Sequence, residues 1–199
     1  MLPHAHLAVG YLLASGVVRA TRRRSMTRRE ALLVVAGTLL PDLIDKPLAL
    51  VVGGPFASGR TVAHSLLFGI PVVLIFRTVL RRRRGPAVPV VLFAVGYASH
   101  PFLDASVFLV QGTLARDLVE VGFVLWPVGL PADGIVRFLE RLPAADRAIE
   151  AKPRWTARHV PSGARLSRWI RVVELALASA ATVLWLADDA PGVEALRDR

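Results

Sequence analysis

The 199-residue sequence contains no cysteine. Disulfides and thiolate metal sites are therefore excluded, and any bound metal has to be held by nitrogen and oxygen. Lysine is almost missing too, with only Lys46 and Lys152 among 25 basic residues, and that arginine bias by itself points to no function. No basic stretch precedes the first apolar run and no clear cleavage site follows it, so a removed signal peptide is not expected. No internal repeat is visible, which leaves no sign of a repeat architecture. Acidic residues are few, 15 in all, giving a net charge of +10.

What the chain has in excess is apolar surface. Hydrophobic residues make up 54% and mean hydropathy is +0.50, more than an ordinary soluble domain carries. They gather in runs at about 5–18, 31–54, 62–80, 86–111, 118–130 and 169–187. Roughly 20 apolar residues cross a bilayer, so the second, third, fourth and sixth runs are good spans. The first is short, and the fifth opens on Arg116, Asp117 and Glu120. The expected fold is all-α, a multi-pass transmembrane helical bundle of five or six spans. Residues 1–130 form the bundle, 131–168 a basic soluble segment, and 169–187 a C-terminal transmembrane helix.

Arginines between the runs set an orientation. With six crossings and the N-terminus outside, segments 19–30, 77–85 and 131–171 are cytoplasmic and hold six, five and nine basic residues. The Arg81–Arg84 run then reads as a topology anchor touching anionic lipid, and no specific nucleic-acid partner is expected.

Given that topology, polar residues acquire depths at about 1.5 Å per residue. Asp42 and Asp45 fall in the outer half of run two. Arg60, His64 and Ser65 fall in the first turns of run three, His100 and Asp104 in the outer half of run four, and His6 at the outer mouth of run one. Asp42 and Asp45 are i,i+3 and His100 and Asp104 are i,i+4, so each pair shares a helix face. Buried carboxylates are costly unless paired, and imidazole with carboxylate is a usual donor set for Zn²⁺ or a similar divalent ion. One intramembrane Asp alone could serve helix packing or face a water cavity. The convergence of four helices on one layer favours a shared site. His4 and His159 read as terminal and surface residues, and Gly37, Gly96 and Ser99 as positions of close helix approach.

Four ordered blocks, "HLAVGYLL", "GTLLPDLIDKP", "SGRTVAHSLL" and "VGYASHPFLDA", resemble the YdjM-like family of membrane-bound metal-dependent hydrolases. The wording is closest to the haloarchaeal branch. The resemblance implies metal residues at His6, Asp42, Asp45, His64, His100 and Asp104. Where many bacterial members carry further histidines, this chain has Lys46 and Gly59. A remoter similarity to all-helical zinc phospholipase C and S1/P1 nucleases implies phosphoester chemistry.

The expected function is hydrolysis of a phosphoester or lipid-type substrate at the outer membrane face, with a divalent metal, Zn²⁺ first, as cofactor. Asp42, Asp45 and Ser65 are the candidate catalytic residues, Ser65 acting by a supporting hydrogen bond, and Arg60 would orient an anionic group. The rival is a non-catalytic metal-binding or transport protein. Against it, no acidic or histidine residue lies in the cytoplasmic halves of runs two to four.

Overall fold

The computed structural model describes residues 3–52, 59–82, 88–111, 121–126, 164–191 and 193. Among them the only regular structure is helical: α1 (Pro3–Arg22), α2 (Arg28–Val51), α3 (Leu66–Arg82), α4 (Val88–Gln111), a short 3-10 helix (Val121–Leu125) and α5 (Ala164–Ala187). Two stretches are long and apolar enough to cross a membrane, Val88–Ser106 in α4 and Arg168–Ala187 in α5, while Leu66–Leu80 in α3 is apolar but shorter. The expected count of five or six spans is therefore not reached among the described residues, where two such helices are found. The charged residues explain part of the difference, since α2 carries Asp42, Asp45 and Lys46 within its length.

Polarity is arranged inside out. The buried set includes His6, Asp45, His64, His100 and Asp104, whereas Leu43, Leu50, Ile75, Phe102 and Leu186 point outward. In water such a surface would be a large apolar patch, and against lipid tails it is a solvated one. The apolar core, Tyr11, Ala14, Val18, Met26, Ala31, Val34 and Leu92, lies towards the α1–α2 loop, leaving the polar group at the opposite end.

Local sequence explains how α2 begins. Thr27 and Glu30 form a reciprocal capping box, and Glu30 also takes two hydrogen bonds from Arg24 at 2.8 and 2.7 Å. Those Arg24 bonds, opposed by burial, hold the Glu30 carboxyl down to about 2. The loop between α1 and α2 is thus closed by side chains rather than by length.

Glycine lets α1, α2 and α4 approach closely. A Cβ at Gly96 would lie 2.6 Å from the Val34 carbonyl oxygen, and one at Gly37 would strike the Phe93 carbonyl. Both obstacles are backbone, so a methyl group cannot be absorbed by a rotamer change. Gly37→Ala is expected to cost about 1–3 kcal/mol through this overpacking. Its unfolding midpoint in detergent should fall measurably, and an unchanged midpoint would contradict the close α2–α4 contact.

Two features depart from the sequence reading. Of the fifth run, the described part is the 3-10 helix and Trp126, which pack on α3 and α4; residues 118–120 and 127–130 lie outside the described residues, as does 131–163. Residues Arg60–Ser65, expected in the first turns of run three, precede α3 as an irregular turn. Asp45 is the reason, because it takes up the backbone N–H groups of that turn.

Candidate metal centre

Asp45 is fully buried on α2 and accepts from the backbone N–H of Thr61 (2.7 Å), Ala63 (3.0 Å) and His64 (3.1 Å). It also meets His64 Nδ1 at 2.8 Å. Four donors on one carboxylate satisfy groups that an irregular turn would otherwise leave bare. The Tyr97 hydroxyl fastens the same turn by donating to the Ala63 carbonyl. The consequence for His64 is a fixed orientation: Nδ1–H donates to Asp45, and Nε2 is the ring nitrogen turned to the cluster.

His100 reaches the same state by another route. Its Nδ1 lies 2.7 Å from the Thr38 carbonyl oxygen, which can only accept, so Nδ1 carries a hydrogen and the neutral ring would leave Nε2 free to ligate. Thr38 sits one turn before Pro41, whose missing N–H loosens the helical bonding of that stretch. The two rings meet edge to face with centroids 5.0 Å apart.

Both Nε2 atoms are buried and without a hydrogen-bond partner among the described residues. Each lies 3.6 Å from the same oxygen, Asp42 Oδ1. Two ring nitrogens and a carboxylate oxygen converge without a hydrogen bond between them, an arrangement suited to a shared cation or proton. A tetrahedral ion with bonds of about 2.0–2.1 Å separates its ligand atoms by about 3.3–3.4 Å. The observed separations are a few tenths of an ångström longer, so the donor set fits a divalent ion in type and in spacing. Asp42, His64 and His100 form one group of candidate ligands, and His6, His100 and Asp104 form a second that shares His100.

Asp104 completes the wall. Its Oδ1 takes the His6 Nε2 contact at 3.0 Å, its Oδ2 takes Arg60 Nε at 2.5 Å, and the same Oδ2 stands 3.8 Å from His64 Nε2. The His6 ring stacks on His100, with centroids 4.0 Å apart. Arg60 is partly exposed, with 38% of its side chain open. The outer oxygen of Asp42 pairs with Lys46 Nζ at 2.5 Å.

Of the residues expected from sequence, the structure thus brings His6, Asp42, His64, His100, Asp104 and Arg60 into one cluster. Asp45 stands behind His64 with its oxygens taken by N–H donors, rather than among the inward-facing atoms. Ser65 is turned away from the cluster: its hydroxyl donates to the Trp126 carbonyl at 2.6 Å and accepts from Leu67 N at 3.1 Å at the start of α3. Phe123, which the sequence reading missed, lies edge-on to His64 at 6.0 Å. Thr38 and Tyr97 were missed as well. Tyr97 lies three residues before His100, on the same helix face, and that spacing was the available signal. For Thr38, whose contribution is a backbone carbonyl, the only hint was the nearby Pro41.

Comparison with known families agrees with this geometry. A family model described as YdjM inner membrane protein matches residues 1–116. The chain belongs to the YdjM inner membrane protein family. The YdjM match runs through α1 to α4 and so contains every histidine and aspartate of the cluster, while the 3-10 helix and α5 lie beyond it. No curated protein and no solved structure matches the chain.

Proposed function

We propose that this YdjM-family protein is a multi-pass membrane hydrolase acting on a phosphoester or lipid-type substrate through a divalent metal, Zn²⁺ first. The observation carrying the proposal is the pair of buried Nε2 atoms of His64 and His100, without a hydrogen-bond partner among the described residues, facing one oxygen of Asp42. Zn²⁺ favours two imidazoles and a carboxylate, and a catalytic site keeps a fourth position open. When bound, such an ion would lower the pKa of a water and polarise the scissile bond.

The chain's own residues supply the rest. Asp104, whose Oδ2 stands 3.8 Å from His64 Nε2 and which His6 and Arg60 hold, would be the group to accept a proton from water. This role falls to Asp104 rather than to Asp45, which stands behind His64 and away from the inward-facing atoms, while Asp42 serves as a ligand. Arg60, partly exposed, orients the anionic group of the substrate. Asp45 and the Thr38 carbonyl fix the ring orientations, and Ser65 holds the 3-10 helix next to His64. Lys46, part of the haloarchaeal wording, restrains Asp42, in keeping with that branch. Short arginine-rich loops at 19–30 and 77–85 favour the cytoplasm, which puts the N-terminus and the site outside.

The rival reading is a non-catalytic metal-binding protein. It is favoured if Asp104 also ligates, because four protein ligands would close the site. Arg60→Ala separates the two. Guanidinium does not ligate a cation, so the variant should keep its metal. Release of phosphate from a dispersed phospholipid or an aryl phosphate should fall at least about tenfold if Arg60 positions the anion, a modest share of what such positioning supplies. Metal retained in wild type with no turnover of either substrate would favour the rival.

A further inference from the structure

The helix that follows the family-matched region is fastened by a buried acid. Asp188, directly after α5, has a side chain with no exposed surface and accepts from Tyr11 (2.8 Å), Ser15 (3.3 Å) and Arg19 (2.5 Å). All three lie on α1, beyond His6 in the chain direction. The turn that presents Asp188 is tightly set. Asp189 and Ala190 have φ of 61° and 48°, the left-handed region, and the turn closes through Ala190 N to the Trp185 carbonyl and Trp185 Nε1 to the Pro191 carbonyl. Earlier in α5, Ala178, Ala181 and Thr182 line an apolar groove together with His4, Leu7 and Ala8 from the first half of α1. Advancing along α1 from residues 4–8 to 11–19 advances along the other segment from 178–182 to 188. The two helices are parallel.

That direction has a consequence for the membrane. The first half of α1 carries His6 and ends at the metal centre, while its second half leads away to Arg19 and Arg22. We infer that α5 crosses the bilayer in the same sense as α1, so that Arg168, Trp169 and Arg171 at its start lie on the membrane face onto which the metal centre opens. The inference rests on reading these helices as spans and is independent of the hydrolase reading.

Independent observations agree with it. The carbonyl of Trp126 is bonded to Ser65, so the described part of this segment ends at the level of the site. A helix of 24 residues reaches about 36 Å, enough for a hydrocarbon core of about 30 Å. Arg168, Trp169 and Arg171 are exposed at its start, and arginine with tryptophan is the usual composition of a helix end at the headgroup level. Turning α5 over would take Asp188 from its three donors and leave a carboxylate unpaired among apolar helices, a cost of several kcal/mol. The six-crossing expectation placed Arg168 and Arg171 on the side of Arg19 and Arg22. The direction of α5 places them at the other end, and the number of crossings becomes odd.

The chain has no native cysteine, so single cysteines report cleanly. Arg168→Cys and Trp169→Cys test the start of α5, Val52→Cys marks the site face at the end of α2, and Arg23→Cys marks the opposite loop. Each full-length variant is reconstituted in sealed vesicles of one orientation and exposed to a membrane-impermeant maleimide. Positions 168 and 169 should label together with position 52, at least about tenfold faster than position 23 in the same orientation. Labelling of 168 and 169 together with position 23, or equally from both sides, overturns the inference. Metal content of the same preparations reads the hydrolase proposal separately.

Discussion

Asp45→Ala is expected to destabilise the protein by about 3–5 kcal/mol, the scale of breaking a buried charged network by removing one partner. The substitution leaves three backbone N–H groups and the His64 ring N–H without an acceptor, in a turn that no helical bonding can satisfy. Each buried donor left unsatisfied costs about 1–3 kcal/mol before relaxation. Residues 60–65 should therefore lose their arrangement, carrying Arg60 and His64 out of the cluster together. Unfolding in detergent should show a much lower midpoint, and limited proteolysis should cut near residues 59–65. Asp45→Asn keeps one acceptor oxygen but presents an NH₂ group among donors, so it should fall between the two. A wild-type midpoint for Asp45→Ala would mean that the turn is held by something other than this carboxylate.

The second large effect concerns the ligands. His100→Ala should weaken divalent-metal binding by more than about 100-fold, beyond the ~10–100-fold typical of losing a residue that only supports a ligand. Asp45→Asn, where it folds, should remain within that smaller range, because it disturbs the orientation of His64 and not its identity. The pH dependence follows from the same ligands. An imidazole ligand must be deprotonated, so protons compete with the metal for the site and affinity should fall on acidification. Isothermal titration with Zn²⁺ at several pH values reads both effects, and pH-independent binding retained in His100→Ala would place the metal elsewhere.

Helical class, the inside-out polarity and the meeting of His6, Asp42, His64, His100 and Asp104 were legible in the sequence. Apolar runs and i,i+3 or i,i+4 spacing are local signals that survive folding. The distinction between Asp42 and Asp45 was not legible. Both sit on one helix face, and only the path of the turn at 60–65 decides which of them meets backbone N–H groups. The partners of Ser65 were hidden for a related reason, since the Val124 and Trp126 carbonyls come from a segment with little pattern of its own. The direction of α5 was hidden more deeply. It depends on one acid, Asp188, finding Tyr11 and Arg19 across the whole length of the chain, and no periodicity encodes such a pairing.

Elemental analysis of the wild-type protein, purified in mild detergent without chelator, tests the central claim most directly. The account predicts at least about one equivalent of a divalent transition metal per chain, removable by chelation and restored by Zn²⁺ at neutral pH, as expected of two imidazoles and a carboxylate. Protein that is folded, carries no such metal and takes up none at neutral pH would contradict it.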